Sequence, residues 1–266
     1  MKYSIIIRCY NTLPLIQKCV EAVIKSTDLD TEIILINNHP PYNDVIQYLK
    51  NLKHPRIIVL DPGENIGNLE GFNYGANYAK GENLIILDDD IIVPNNNWIK
   101  VMSQSLDDFP NLGYISLMEK QVELFIFNNN EKVKTEIINK KDYSVLITPY
   151  MVFFGCVMFK RKLWEKYYSK IKPEIMVLYD IDFNYKIIAE KNRLDTGYIV
   201  SHIADHLGRS EESNFTYNAW KILYVYGLVV EEYGQWRKEK KYITRAEEQV
   251  LITFGYKKEQ IDNMFI

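Results

Sequence analysis

The first ninety residues constrain the fold most, because short runs that are apolar throughout alternate with stretches of helical periodicity. Residues 3–7 (YSIII), 32–36 (EIILI), 56–60 (RIIVL) and 83–87 (NLIIL) read as strands. Between them, residues 13–26 carry Leu15, Ile16, Cys19, Val20, Val23 and Ile24 at helical spacing. Residues 42–50 suggest a short helix, and 68–80 space small and aromatic residues helically. Strands without polar alternation need cover on both faces, as parallel strands have in an open sheet. Strand, helix, strand repeated in this way predicts βαβ units with right-handed crossovers. After Pro94 the pattern changes. Strand-like pieces at 112–118 and 121–127 precede a polar stretch, NNNEKVKTE, that reads as a loop or hairpin tip. An apolar run at 151–159, helices over 161–169 and 181–191 and a strand at 193–200 follow. From Asn214 the chain looks helical, with Trp220, Leu223, Tyr224 and Leu228 on one core-facing side. The expectation is an α/β fold: a mostly parallel sheet flanked by helices, then a helical C-terminal extension.

Composition removes several classes. The 35 acidic side chains nearly balance the 32 basic ones, and nucleic-acid binders usually carry a basic excess. Nucleic acid is therefore not an expected partner. Three cysteines, Cys9, Cys19 and Cys156, have neither disulfide-framework nor metal-site spacing. They read as small buried hydrophobes in a reducing compartment. The opening MKYSIIIRCYN lacks the apolar core of a signal peptide. No window approaches the roughly 18 apolar residues of a membrane span. The expected location is the cytoplasm, with peripheral contact at the inner face of the membrane left open. Tyr233 and Trp236 beside Arg237, Lys238, Lys240 and Lys241 are the residues that would suit such a surface or a carbohydrate acceptor.

Asp88, Asp89 and Asp90 directly follow the fourth strand. In open parallel sheets, ligands bind beyond the carboxyl ends of the strands. Three adjacent carboxylates there repel one another, and burial disfavours their ionised forms. A hard cation removes that conflict. Mg2+ typically takes one or two protein carboxylates together with substrate phosphate oxygens, so Asp88 and Asp90 are candidates to hold a metal that also binds a diphosphate. A solvated acidic turn is the plainer alternative.

The run ENIGNLEGFNYGANYAKGENLIILDDDIIVP resembles the segment of family 2 glycosyltransferases that leads into their DxD motif. Asn65-Ile-Gly67, Asn73-Tyr-Gly75 and Ala79-Lys-Gly81 stand at that family's spacing. Four further segments keep the family's order: SIIIRCYN at the start, GCVMFKRKLWE at 155–165, YDIDFNYKI at 179–187 and HLGRS at 206–210. The resemblance covers residues 3 to about 210. It implies the GT-A fold, a Rossmann-like sheet, and transfer of a sugar from a nucleotide diphosphate to a glycan, glycolipid or protein acceptor, in glycan or polysaccharide synthesis. It also implies a catalytic domain over 1–212, with a nucleotide-binding half to about 94 and an acceptor half from about 95. Residues 213–266 are then the helical extension.

The resemblance assigns roles residue by residue. Asp180 matches the catalytic base that takes a proton from the acceptor hydroxyl in an inverting transfer. Asp182 and Gly155 match acceptor-side positions. Asp88, Asp90 and His206 match the metal site, for Mn2+ or Mg2+. Arg8, Tyr10, Asn37, Asn65, Asp88 and Asp89 match nucleotide-sugar contacts. Asn37 replaces the family's usual Asp, and an amide both donates and accepts, so uridine, guanine and thymine nucleotides stay open. Tyr179 replaces the family's Glu before the base, which bears on the acceptor contacts. His39 and His54 have no supporting context. Two rival functions fit less well. A sugar nucleotidyltransferase would carry a Gly-rich basic loop where this chain reads RCYNTLPL. An inactive glycan-binding relative would have no need of an intact acidic triplet with Asp180.

Overall fold

The structure is a computed structural model of the chain. It describes residues 1–120, 136–148, 152, 155–171, 180–209, 216, 219–220, 222–223, 228, 236, 238–253 and 256–265. The chain divides into two units, Met1–Leu207 and Gly208–Ile266.

The first unit opens with the expected alternation: β1 (Tyr3–Cys9), α1 (Leu13–Ser26), β2 (Thr31–Asn37), α2 (Asn43–Asn51), β3 (Ile57–Leu60), α3 (Asn68–Tyr78) and β4 (Asn83–Asp88). A two-residue β5 (Ile91–Ile92) and α4 (Trp98–Asp108) follow. Next come β6 (Leu112–Glu119), β7 (Glu136–Asn139), β8 (Ser144–Thr148) and β9 (Cys156–Lys160). Residues Arg161–Leu163 form a helical turn that runs into a π-helical turn, Trp164–Tyr168, before α5 (Asp180–Lys191) and β10 (Asp195–His206). The strand expected at 121–127 lies outside the described residues.

One sheet has the order β3-β2-β1-β4-β9-β6-β10-β8-β7, with β5 pairing off β10. Strands β1 to β4 are parallel, as their uninterrupted apolar character predicts. Beyond β4 the sheet is mixed: β9 runs antiparallel to β4 and β6, while β10 is parallel to β6. Two apolar layers sandwich the sheet. One face packs Ile5, Ile7, Leu35 and Ile85 on α1, with Trp98 and Met102 of α4. The other packs Ile6, Ile34 and Ile86 on Phe72 and Ala76 of α3, and continues into Tyr114, Phe159, Tyr168 and Tyr185.

The glycine spacing has a packing cause. Gly67 has φ of 77° at the N-cap of α3, a turn conformation that side chains rarely tolerate. A Cβ on Gly75 would lie 2.6 Å from Ile6 Cγ2, so this glycine lets α3 approach β1 closely. Gly81 abuts Ser4, whose Oγ accepts its N–H at 2.7 Å and donates to the buried Glu32 at 2.6 Å. A Cβ on Gly81 would meet the Ser4 backbone nitrogen at 2.5 Å. Gly81→Ala should therefore destabilise the fold by about 1–3 kcal/mol, the usual cost of overpacking. A fall of several degrees in thermal midpoint is the expected reading, and an unchanged midpoint would count against this close-packing role.

In the second unit, α6 (Arg245–Thr253) and α7 (Lys258–Asp262) are described. Thr244 and Glu247 cap α6 reciprocally: Thr244 N–H donates to Glu247 Oε2 at 2.7 Å, and Glu247 N–H to Thr244 Oγ1 at 3.4 Å. Trp220 and Leu223 are buried as expected, but Leu228 is 39% exposed and so is not part of that core. Trp236 is 2% exposed. This corrects its reading as a surface anchor, because an indole withdrawn from solvent cannot stack on a glycan or a lipid. Tyr224 and Tyr233 lie outside the described residues.

Candidate active site

The carboxyl ends of β1, β2 and β4 come together by register: Arg8 pairs across to Ile36 and Asp88, and Cys9 to Asn37. The acidic triplet sits on this edge, and each of its carboxylates has a different neighbour. Asp88 Oδ1 pairs with Arg8 Nη2 at 2.8 Å. Asp89, 9% exposed, turns inward, and its Oδ2 accepts the backbone N–H groups of Tyr10 at 2.7 Å and Asn11 at 2.8 Å. Asp90, 6% exposed, accepts from Asn11 Nδ2 at 3.3 Å through Oδ2. Its other oxygen lies 3.4 Å from His206 Nε2. Burial, then the Asp90 charge beside it, pushes Asp89 up to about 6 against the pull of its two backbone donors. Asp89 is thus the clamp that ties the loop after β1 to the loop after β4.

His206 reaches this edge because β10 changes partners. Its pairing with β6 shifts register between Ile199 and Ile203 and runs to Ala204 opposite Glu119. The strand then turns to β5, with His206 opposite Ile91, and Leu207 N–H donates to Asp90 O at 2.9 Å. The imidazole lies between two carboxylates, its Nδ1 being 2.9 Å from Glu119 Oε2. Burial disfavours the imidazolium, yet the hydrogen bonds to Asp90 and Glu119 prevail and push His206 up to about 11.

A second cluster forms at the ends of β2 and β3. Asn37 donates Nδ2–H to Asp61 Oδ2 at 2.9 Å. Asp61 Oδ1 also lies 2.8 Å from His39 Nε2 and accepts Gly63 N–H at 2.9 Å. Burial would raise the Asp61 carboxyl, but these hydrogen bonds hold it below the usual carboxylate range. An ionised carboxylate only accepts, so it dictates which end of the Asn37 amide it receives. The Asn37 Oδ1 is then buried and has no partner among the described residues. A cavity of about 710 Å3 opens beside this pair, lined also by Leu49, Lys53 and Val59. The Asn-Ile-Gly loop is pinned alongside: Ile66 N–H donates to Asn38 Oδ1 at 3.1 Å, and Gly67 N–H to Asn65 Oδ1 at 2.9 Å.

Of the residues singled out from the sequence, Arg8, Tyr10, Asp88, Asp89, Asp90 and His206 meet at one edge, with Asn37 at the end of β2 and Asn65 in the loop before α3 beside it. Asp88 is paired with Arg8, and among the described residues no three of His, Cys, Asp and Glu converge as a metal-ligand set. Gly155 is buried and its carbonyl accepts Asp88 N–H at 2.9 Å. Asp180 and Asp182 lie in the first turn of α5, and their side chains lie outside the described residues. Sequence reasoning missed three participants. Glu119 ends β6, one residue beyond the strand that the sequence predicts at 112–118. Asn11, the second residue of the Tyr-Asn pair, bonds Asp89 through its N–H and Asp90 through Nδ2. Asp61 directly follows β3 much as Asp88 closes β4, and it pairs with the neighbouring His39. The three thiols are buried and free, and burial raises each well above its ordinary range.

Residues 4–168 match the family model for glycosyl transferase family 2. Glycosyltransferase YwdF of Bacillus subtilis (strain 168) is 27% identical over 147 residues, which cover 54% of this chain and 48% of that protein. The chain thus spans about half the length of this curated relative. Among solved structures, the mannosyltransferase PcManGT from Pyrobaculum calidifontis, in complex with GDP-Man and Mn2+, superposes with a TM-score of 0.61 at 15% identity, over 87% of this chain and 65% of that one. Residues 1–349 of S. aureus TarS, in complex with UDP-GlcNAc, give 0.54 at 14% identity, over 96% and 71%. The mixed sheet with its helical cover is the GT-A fold, and by the match over residues 4–168 the chain belongs to glycosyl transferase family 2.

Proposed function

We propose that this chain transfers a sugar from a nucleotide diphosphate to an acceptor hydroxyl in glycan or polysaccharide synthesis, with inversion, and that it uses a divalent cation. The observation that carries this reading is the Asp90 carboxylate facing the His206 imidazole at 3.4 Å on the carboxyl edge of β4. One hard oxygen and one imidazole nitrogen fit Mn2+ or Mg2+, which complete their shells with diphosphate oxygens and water. Complexes of two structural neighbours with Mn2+ point the same way. When bound, such an ion neutralises the charge that develops on the departing diphosphate.

The chain's own residues supply the rest. Arg8 neutralises Asp88 and so lowers the repulsion within the triplet. Asp89 holds Tyr10 and Asn11 in place, which sets Tyr10 for the nucleotide. Asn37, with its amide directed by Asp61, keeps a carbonyl oxygen for a base N–H. Uracil and thymine carry a ring N3–H and guanine a ring N1–H, whereas the corresponding ring nitrogen of cytosine is an acceptor. Asp180, at the start of α5, takes the proton from the acceptor hydroxyl as it attacks. Asp182 and Gly155 belong to the acceptor side in this reading. Among the described residues no helix is long and apolar enough to cross a membrane.

Thermal-shift measurements with UDP, GDP, dTDP and CDP, each with and without Mn2+, test this reading. A ligand at 100 times its Kd stabilises by about 2.7 kcal/mol. The shift expected for a domain of this size is about 5–10 °C. It should require Mn2+ and be smallest for CDP. Absence of any shift would remove the donor assignment, and equal shifts without Mn2+ would remove the cation.

A further inference from the structure

We infer that Glu119 is a positioning residue for His206: it fixes the imidazole so that Nε2 faces Asp90 and the incoming cation. The inference rests on the metal reading of this edge given above. Glu119 ends β6 and is 5% exposed, so its carboxylate is held by packing. Its Oε2 lies 2.9 Å from His206 Nδ1. A carboxylate acceptor keeps the proton on Nδ1, so Nε2 is the nitrogen that gives up its proton when a cation binds. Nε2 is the atom that faces Asp90 at 3.4 Å.

Two backbone features hold this arrangement. Register places Ala204 of β10 opposite Glu119, two residues before the histidine. Gly155, just before β9, leaves room for the other carboxylate oxygen. A Cβ on Gly155 would collide with Glu119 Oε1. The small residue here thus serves the carboxylate behind the histidine. Carboxylate partners of histidine ligands typically alter metal affinity by 10–100-fold when removed.

The test is Mn2+ binding by the full chain, read from the electron paramagnetic resonance signal of the free ion, without donor or acceptor. Glu119→Met keeps the volume and removes the acceptor. Glu119→Gln keeps an acceptor for Nδ1–H. Each is made alone and combined with His206→Ala. The expected result is a loss of about 10-fold or more in Mn2+ affinity for Glu119→Met, with Glu119→Gln nearer the parent. On the His206→Ala background the two Glu119 variants should bind Mn2+ equally. Glu119→Met with parental affinity, while His206→Ala and Asp90→Asn both weaken binding, overturns the positioning role and leaves the metal reading standing. Equal effects of Glu119→Met with and without His206 mean that Glu119 acts on the fold at large, which also overturns it. Parental Mn2+ affinity in both His206→Ala and Asp90→Asn removes the metal site itself.

Discussion

Asp90→Asn should reduce sugar transfer by about 10³-fold while leaving the protein folded. Loss of several kcal/mol of charge stabilisation at the leaving group corresponds to about three powers of ten in rate. The fold should survive because Asn is isosteric and can still accept from Asn11 Nδ2, which lies 3.3 Å from the native carboxylate. The substitution also removes a like charge that pushes Asp89 up. A second readout follows from linkage. His206, raised from 6.5 to about 11 partly by Asp90, contributes stability that is fully present below about pH 6.5 and is lost as pH rises toward 11. Without the Asp90 charge that contribution shrinks, so the metal-free variant should lose less stability between pH 7 and pH 10 than the parent. Undiminished transfer by Asp90→Asn, or full parental activity in excess EDTA, would remove the cation from the mechanism.

Asp180→Asn should lower turnover by about 10²–10⁴-fold with donor binding retained, since the amide keeps the shape but loses the charge and the ability to take up a proton. Asp180 begins α5. The partial positive charge of a helix N-terminus favours an ionised carboxylate and makes it a weaker base. Because Asp180 acts on the acceptor hydroxyl in this reading, the deficit should appear in kcat, with the nucleotide-induced thermal shift unchanged. Collapse of donor binding would move Asp180 into the nucleotide site and leave the proton without an acceptor.

The parallel half of the fold was readable from the sequence because its signal is local. A run such as NLIIL is apolar at every position, and a strand of this kind is stable only with helices over both faces. Residues 83–87 and 13–26 are accordingly β4 and α1 to within a residue at either end. The glycines were legible for a related reason. Gly67 and Gly81 stand where a backbone turn or a neighbouring strand excludes a side chain, and that requirement holds at a single position in the chain. The triplet could likewise be found as three carboxylates after a buried strand.

How those carboxylates divide their work was not legible, because it depends on contacts between segments far apart in the chain. Asp88, Asp89 and Asp90 are chemically identical in the sequence. Only the folded sheet pairs the first with Arg8, turns the second onto the Tyr10 and Asn11 amides, and faces the third to His206. Glu119 and His206 are 87 residues apart and share no motif. They meet because β10 lies parallel to β6 and then crosses to β5 at its end. The Asn37 amide donates and accepts equally well as a free residue, and its direction is decided by Asp61, just past the end of the next strand. Short-range patterning sets which elements form, since helix and strand periodicities are properties of neighbouring residues. Strand order and register set which charges meet, and with them the protonation and orientation of each group at the site.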